Sequence, residues 1–216
     1  MSKSVLISIQ PYWFFLIIAE SMGWYIGKVK TEEIRKNFPK DSDWDRTAII
    51  YCSKDKKSFN RIPKKYQPLM ERFLGKVGGE FVCPDIVEYE SEFWDDETYE
   101  SIGRISYDDE YGEREKCIFA ECGDKNNTLC RHSCLSWEEL RAYIGQDIKT
   151  FYGWRILNLE IYKKPKELSE FRKPCPYTDG TYCIENKCEY YGDWTGVCRC
   201  WVERPPQSWC YVEADK

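Results

Sequence analysis

Histidine is nearly absent from this chain, which carries a single one, His132, among 216 residues. A ribonuclease-type site that pairs one histidine as general base with a second as general acid therefore cannot be assembled within one subunit. Long apolar runs are missing as well. No stretch reaches the roughly 18–20 consecutive apolar residues that a membrane-spanning helix needs, so we expect no membrane association of that kind.

The N-terminus also lacks the features of a secretion signal. Lys3 precedes two short apolar runs, Val5–Ile9 and Tyr12–Ala19, but Gln10 and Pro11 separate them. No pair of small residues of the kind that marks a cleavage site follows the second run. We therefore expect a cytoplasmic protein, in a compartment whose reducing conditions disfavour disulfides.

Acidic residues are concentrated in one segment. The net charge is −5, and residues 88–115 carry twelve acidic side chains against two basic ones, Arg104 and Arg114. Outside that segment 25 acidic and 30 basic residues remain, which gives the rest of the chain a charge of +5. The acidic segment is either a solvated loop or an arm that binds a partner or mimics a nucleic acid.

Short apolar runs predict several strands and few helices. Pro11 can start a helix because its missing N–H would be unpaired in the first turn anyway, and Gly78-Gly79 indicates a bulge or a close approach between backbones. The predicted strands are Val5–Ile9, Thr47–Cys52, Val77–Val82 and Leu157–Ile161, and the predicted helices are Tyr12–Glu20 and Gln67–Leu74.

Ser136-Trp-Glu-Glu139 is the clearest local motif. The Ser hydroxyl and the Glu carboxylate of such a capping box satisfy each other's backbone N–H groups, so we expect a helix from here through Tyr143 that ends at Gly145. Many short strands with two or three helices are typical of an α+β fold, here a small β-barrel with flanking helices.

The composition of the sequence changes at Phe171. Beyond this residue apolar side chains no longer recur at a regular spacing, and cysteines, aromatics and turn residues predominate. We therefore divide the chain into a barrel domain, residues 1–170, with an acidic insertion at about 88–116, and a cysteine-rich module, residues 171–216. A module of this size needs a structural metal or disulfide cross-links, because it is too small to bury a sufficient hydrophobic core of its own.

Twelve cysteines, an even number, are compatible with either disulfides or metal. In a reducing compartment structural zinc is the favoured interpretation of the tail, with disulfides and free thiols as alternatives. Four ligands would come from Cys175, Cys183, Cys188, Cys198, Cys200 and Cys210. A second candidate site comprises Cys117, Cys122, Cys130, His132 and Cys134. Cys52 and Cys83 fall in predicted strands and are expected to be buried thiols.

The order of strand, Pro-started helix and Lys-x-x-Glu-x-Arg resembles the ASCH superfamily, whose members are relatives of the PUA RNA-binding fold. The two motifs that carry the resemblance are Leu6-Ile-Ser-Ile-Gln-Pro11 and Lys30-Thr-Glu-Glu-Ile-Arg-Lys36. Further similar segments are Tyr51-Cys52, Gly78–Cys83, Cys134–Leu140, Tyr152–Trp154, Lys164–Leu168 and Arg204–Cys210. Together they resemble ASCH-domain proteins of phages and prophages of Gram-positive bacteria, outside residues 88–133.

The resemblance implies a PUA-like barrel that binds RNA or a modified nucleoside. If the protein is an enzyme, the resemblance favours an amidohydrolase that cleaves the amide of an acylated cytidine, with ribonuclease activity as the alternative. Lys30 would serve as base or nucleophile toward the acyl carbon, and Glu33 would relay the proton to the leaving amine. Arg35 would fix the Glu33 carboxylate and help to stabilise an oxyanion. The matching amidohydrolases carry Thr at the position of Glu33.

In a nucleic-acid binder, Arg35 and Lys36 would contact phosphate or base edges, and Trp13 or Trp154 would stack on an unpaired base. Two alternatives remain open. Lys30, Glu33 and Arg35 could form only an ion-pair network on a strand surface. The protein could instead be a phage-type inhibitor whose acidic segment binds a host protein that handles nucleic acid.

Overall fold

A computed structural model of the chain describes residues 3–41, 44–91, 98–106, 120–121, 128–145, 150–174 and 200–213. Its strands are β1 Lys3–Ile9, β2 Glu32–Arg35, β3 Trp44–Cys52, β4 Lys76–Val82, β5 Asp85–Ser91, β6 Thr98–Ser106, β7 Ala120–Glu121, β8 Thr150–Arg155, β9 Leu157–Lys166 and β10 Trp209–Glu213. Its helices are α1 Pro11–Ile18, α2 Lys56–Phe59, α3 Gln67–Glu71, α4 Thr128–Ser133, α5 Trp137–Ile144 and a 3₁₀ turn at Leu168–Glu170.

The first sheet has the strand order β10-β1-β3-β4-β9. Strands β1 and β3 run parallel, whereas β10, β4 and β9 join the sheet antiparallel to their neighbours. A parallel pair needs a long crossover connection, and the segment from α1 through β2 supplies it. The crossover places α1 and β2 together, next to the first sheet.

The second sheet has the strand order β2-β8-β5-β6-β7 and is antiparallel throughout. The predicted α+β class is confirmed. Among the strands that the structure describes, no ladder joins the two sheets into a closed barrel, so the PUA-like barrel stays a prediction.

Helix α1 is the centre of the main core. Its sequence is apolar almost all round, which is typical of a buried helix. Phe14, Phe15 and Leu16 are at most 1% exposed, and the Phe14 and Phe73 rings pack edge to face at 5.3 Å between centroids. Tyr12 and Trp13, in the first turn, are only half-buried. The N-terminal end of α1 therefore presents aromatic rings beside β2.

The predicted capping box is confirmed at α5. The backbone N–H of Glu139 donates to Ser136 Oγ at 3.2 Å, and the Ser136 N–H donates to Glu139 Oε2 at 3.0 Å. Gly145, with φ of 86°, ends the helix. The predicted strands are confirmed as well, as parts of β1, β3, β4 and β9. The helices predicted at Tyr12–Glu20 and Gln67–Leu74 are confirmed in α1 and α3, which end earlier, at Ile18 and Glu71.

Two segments differ from the sequence-based expectation. Residues 88–91 and 98–106 of the acidic segment form strands of the second sheet, so a loop is wrong for these residues; 92–97 and 107–119 lie outside the described residues. The end of the predicted tail, Trp209–Glu213, is a strand of the first sheet, and Val212 packs with Leu6 and Ile49. The expected division at Phe171 stays a prediction, because residues 175–199 are not described.

In the described part of the chain, no helix is long and apolar enough to cross a membrane.

We predict that Gly79→Ala destabilises the fold. A Cβ atom at this position would lie 2.3 Å from the Glu160 carbonyl oxygen on the facing strand, so the backbones of β4 and β9 would have to separate. Overpacking of this kind costs about 1–3 kcal/mol, to be measured as the free energy of unfolding in denaturant. Lys163→Ala, at an exposed position on the facing strand β9, is the control. It should change the free energy of unfolding by no more than about 0.5 kcal/mol. Equal stability of Gly79→Ala and the control would contradict the close approach.

Candidate functional site

Strand β2 and the two residues before it position the candidate residues. The Lys30 N–H donates to the carbonyl of Leu16 in α1 at 3.2 Å, and the Thr31 N–H donates to the carbonyl of His132 at 2.9 Å. These bonds fix the entry to β2 against both α1 and α4. Because side chains alternate along a strand, Glu33 and Arg35 share one face of β2.

Lys30, Glu33 and Arg35 form one buried ion-pair cluster. They are 3%, 8% and 4% exposed. Lys30 Nζ lies 3.3 Å from Glu33 Oε2, and Arg35 Nη2 lies 3.0 Å from Glu33 Oε1. The alternative of a surface network is therefore wrong. Because removing charges from water costs several kcal/mol per ion, a buried cluster is a weak source of stability.

Backbone carbonyls accept further hydrogen bonds from both cations, whereas Arg35 Nε is buried without a hydrogen-bond partner among the described residues. Lys30 Nζ donates to the carbonyl of Ser133 at 2.9 Å. Arg35 donates from Nη2 to the carbonyl of Ser8 at 2.9 Å and from Nη1 to that of Ser208 at 3.1 Å. Both of these carbonyls belong to the first sheet or the segment that leads into β10. Arg35 therefore fixes the second sheet, which contains β2, to the first.

A cavity of about 330 Å³ opens beside this cluster. Its walls come from the start of α1, from β2, from α5 and from the segment after α2. Lys30, Glu33 and Trp13 line it, together with Arg61 and Tyr143. Arg35 is not among the lining residues and lies behind Glu33, so it holds the carboxylate but is not placed to contact an oxyanion in the cavity.

The three predicted substrate-binding residues have different environments. Trp13 lines the cavity, and its ring centroid lies 5.6 Å from Lys30 Nζ. Lys36 is exposed and lies 5.5 Å from the centroid of the Tyr143 ring, at the edge of the cavity. Trp154 is 0% exposed and packs against Trp44 and Trp209 in the core. The stacking role predicted for Trp154 is wrong, because no ligand can reach its ring there.

Sequence reasoning missed Arg61 and the role of Glu139 at the cavity. Arg61 Nη2 lies 2.6 Å from Glu139 Oε1, and the Arg61 guanidinium lies over the rings of Tyr12 and Trp13 at 4.0 and 4.7 Å. Glu139 was recognised only as a capping residue. The two partners are 78 positions apart, so no local pattern could have paired them.

Glu32 forms a second buried polar centre on the opposite face of β2. Tyr89 Oη donates to Glu32 Oε1 at 2.8 Å, and His132 Nδ1 lies 4.0 Å from Oε2. Burial raises the pKa of the Glu32 carboxyl, against the lowering effects of the Tyr89 hydrogen bond and of Lys30 and Arg155. Burial, followed by Arg155 and Arg131, lowers the pKa of His132. A Cβ at position 153 would lie 1.8 Å from Glu32 Oε1, so any larger residue there would force the Glu32 carboxylate to move.

A larger cavity, of about 780 Å³, lies on the His132 side of the chain. The loop of residues 20–31 forms most of its wall, and Arg131 and His132 of α4 complete it. Lys30, Glu33 and Arg35 do not line it. Loop 20–31 thus separates two cavities, and the predicted catalytic lysine faces the smaller one.

The predicted metal ligands fall largely on undescribed residues. Cys117, Cys122, Cys175, Cys183, Cys188 and Cys198 lie outside the described residues, as does the side chain of Cys130. Cys134 and Cys200 are buried, and Cys210 is half-buried on β10. Within the ranges given above, no three His, Cys, Asp or Glu side chains are grouped to hold a metal ion.

The described thiols near the cluster are unsuited to nucleophilic chemistry. Cys52 and Cys83 are buried, as predicted. Burial raises the pKa of Cys83 to about 12 and raises the pKa of Cys134, against the lowering effects of Lys30 and Lys28. Because the thiolate is the reactive form, Cys83 and Cys134 are poor candidates for a nucleophile.

Comparisons of the chain with protein-family models, with curated proteins and with solved structures found no match. The likeness to the ASCH superfamily therefore stays a prediction that depends on the motifs quoted above.

We predict that Glu32→Gln stabilises the protein increasingly as the pH rises. The raised pKa means that the folded chain binds the Glu32 proton more tightly than the unfolded chain, whose carboxyl has a pKa near 4.5. The stability that this carboxyl contributes is therefore present below pH 4.5 and is lost as the pH rises through the folded-state pKa. The neutral amide avoids that loss. Denaturant titrations between pH 4 and pH 8 measure the difference between variant and wild type.

Glu138→Gln is the control, because the contribution of Glu138 to the free energy of unfolding should depend on pH in the opposite direction to that of Glu32. Hydrogen bonds from its own backbone N–H and from the Ser136 hydroxyl lower the pKa of Glu138, so its contribution is present above pH 4.5 and is lost as the pH falls. A difference between Glu32→Gln and wild type that stays constant across the pH range would show that Glu32 is not buried as described.

Proposed function

We propose that the chain is a cytoplasmic ASCH-type protein with a PUA-like fold, and that it binds an RNA base or a modified nucleoside in the cavity between α1, β2 and α5. One observation carries the proposal: the buried Lys30–Glu33 pair forms the wall of a cavity that also exposes the Trp13 ring. Aromatic rings that stack on a base, beside polar groups that contact its edge, are the usual means of binding an unpaired base.

The size of the cavity supports a single small ligand. Its volume of about 330 Å³ is at the lower end of the roughly 300–1,000 Å³ that is typical of ligand pockets. It suits one nucleoside or one flipped base rather than a duplex. Lys30 Nζ can donate to a ring carbonyl or ring nitrogen, and the Glu33 carboxylate can accept from an exocyclic amine.

Hydrolysis of an acylated cytidine is the second candidate function, and the position of Lys30 favours it. Lys30 Nζ lies on the cavity wall, 3.3 Å from Glu33 Oε2. Lys30 would first pass its proton to Glu33, and the resulting neutral amine would take a proton from the water that attacks the acyl carbon. Glu33 would then deliver its proton to the departing exocyclic amine, which restores the ion pair. The products are a free carboxylic acid and the unmodified base. Arg35 acts through Glu33, which it holds in place.

We predict that Lys30→Met weakens ligand binding by about tenfold or more but leaves the fold intact. Methionine has a similar length and removes the charged group that lies over the Trp13 ring, while Glu33 stays paired with Arg35. A lost charge-assisted hydrogen bond is worth about 1.5–3 kcal/mol, which corresponds to an affinity lower by about tenfold or more. Titration calorimetry with cytidine, acetylcytidine and a short single-stranded RNA measures the binding, and release of acetate measures turnover.

Lys64→Met, at an exposed position away from the cavity, is the matched control and should bind as the wild type does. If the wild type binds none of these ligands, the proposed function is wrong. If Lys30→Met and Lys64→Met bind equally well, the cavity beside Lys30 is not the binding site.

We further propose that the cysteine-rich tail binds structural zinc. Of its six candidate ligands, Cys200 and Cys210 lie in the segment that returns to the first sheet, so a metal site would anchor residues 175–199 to that sheet. We expect about one zinc ion per chain in protein purified without added metal, measured by mass spectrometry. Metal-free protein whose tail cysteines are all reduced would contradict the proposal.

The alternative of an inhibitor that captures a host protein is supported by no contact in the described residues, because most of its acidic segment lies outside them. It stays a prediction.

A further inference from the structure

Three cations lie over two adjacent aromatic rings, Tyr12 and Trp13, and we call the surface of these rings the mouth of the smaller cavity. One of the cations, Lys28, itself lines the larger cavity. Lys28 Nζ is 5.6 Å and the Arg61 guanidinium carbon 4.0 Å from the centroid of the Tyr12 ring. The guanidinium is also 4.7 Å from the Trp13 ring, and Lys30 Nζ is 5.6 Å from the same ring. Tyr12 and Trp13 therefore hold a cluster of positive charge next to the space that the proposed function assigns to a base.

Carboxylates neutralise this cluster only in part. Lys30 is paired with Glu33, and Arg61 is paired with Glu139. Lys28, which is exposed, has no carboxylate within ion-pair distance in the part of the chain that the structure describes. The mouth of the cavity therefore carries an excess of positive charge, which favours an anionic ligand.

Arg61 has unused hydrogen-bonding capacity. Its side chain is 40% exposed, and within the described ranges only Nη2 of the guanidinium donates, to Glu139 Oε1 at 2.6 Å. A guanidinium presents several N–H donors in a planar fork that matches the oxygens of a phosphate. The remaining donors are available to a ligand at the mouth.

Glu139 can release Arg61 without loss of the helix cap. Its second oxygen, Oε2, accepts from the Ser136 N–H at 3.0 Å, and its backbone N–H donates to Ser136 Oγ. The capping box of α5 therefore stays complete when Arg61 turns from the carboxylate to another anion. One ion pair is exchanged for another, and no buried charge is left without a partner.

We propose that Arg61 and Lys28 form a phosphate subsite at the mouth of the cavity, so that the ligand is a nucleotide rather than a free nucleoside. The inference rests on the proposed function, because it takes the base to occupy the cavity beside Trp13 and Lys30. The phosphate belongs either to a mononucleotide or to the phosphodiester backbone of an RNA strand, and both present the same charged oxygens.

Binding of cytidine, its 5′- and 3′-monophosphates, a cytidine dinucleotide and inorganic phosphate, measured by calorimetry at one salt concentration, tests the subsite. We expect at least one phosphorylated ligand to bind about tenfold or more tightly than cytidine, as a charge-assisted bidentate contact provides. Arg61→Ala should remove most of that difference, and Lys28→Ala should remove part of it. Lys28→Ala should not change the affinity for cytidine by more than about twofold, because Lys28 does not line the smaller cavity.

Two further variants separate phosphate binding from a structural role of Arg61. Glu139→Gln retains the capping box but frees Arg61, so the affinity for the phosphorylated ligand should rise. If Arg61 merely tethers α5, this variant should show no gain. Lys64→Ala, in the same segment but outside the cavity, is the control for a general loss of positive charge and should bind as the wild type does.

The possible outcomes distinguish the two proposals. If cytidine does not bind but a phosphorylated ligand binds in a manner that depends on Arg61, the base site is wrong and the phosphate subsite is supported. If no phosphorylated ligand, inorganic phosphate included, shows binding that depends on Arg61 or Lys28, the subsite is wrong. Tighter binding of the monophosphates supports a mononucleotide, and tighter binding of the dinucleotide supports an RNA strand.

Discussion

Two buried cations and one buried carboxylate fix the position of the site. Arg35 lies on the edge strand of the second sheet, but its guanidinium donates to the carbonyls of Ser8 and Ser208, which belong to the first sheet and its approach. Lys30 ties the same cluster to the carbonyl of Ser133 at the end of α4. Because a buried charge without a partner costs several kcal/mol, the two sheets and α4 are held at the distances that these donors require. The cavity is the space left beside this arrangement.

The aromatic residues at the start of α1 give the cavity an aromatic border. The chain buries the apolar remainder of α1 and leaves Tyr12 and Trp13 at the surface of the core. Cations then lie over both rings, from the loop before β2 and from the segment after α2. An aromatic surface bordered by positive charge is suited to a base with an attached phosphate. Charge and packing thus favour the same class of ligand.

Local patterns predicted much of the fold. The Pro11 helix start, the Ser136 capping box and the close approach at Gly79 each depend on a few neighbouring residues, and the structure confirms them. Which strands pair could not be predicted, because β10 joins β1 from the other end of the chain. The strands within the acidic segment were missed for a similar reason: their place beside β8 depends on partners far away in sequence.

At the candidate site, too, local motifs could be predicted from the sequence, whereas contacts between distant residues could not. Lys30, Glu33 and Arg35 were identified from one short motif whose extended backbone brings Glu33 and Arg35 to the same face. Trp13 and Trp154 were indistinguishable in sequence, since an aromatic ring serves a core and a binding surface equally well; only Trp13 lies at the cavity. Arg61 was missed because its partners, Glu139 and the rings of Tyr12 and Trp13, are brought to it by the fold alone.

A crystal structure of the protein soaked with cytidine tests the central claim most directly. The account predicts a base that stacks on Trp13 in the cavity, with one of its polar atoms about 3 Å from Lys30 Nζ and the Lys30–Glu33–Arg35 cluster intact. A ligand bound elsewhere, or a Lys30 and a Glu33 that point apart into solvent with no cavity between α1, β2 and α5, would contradict it.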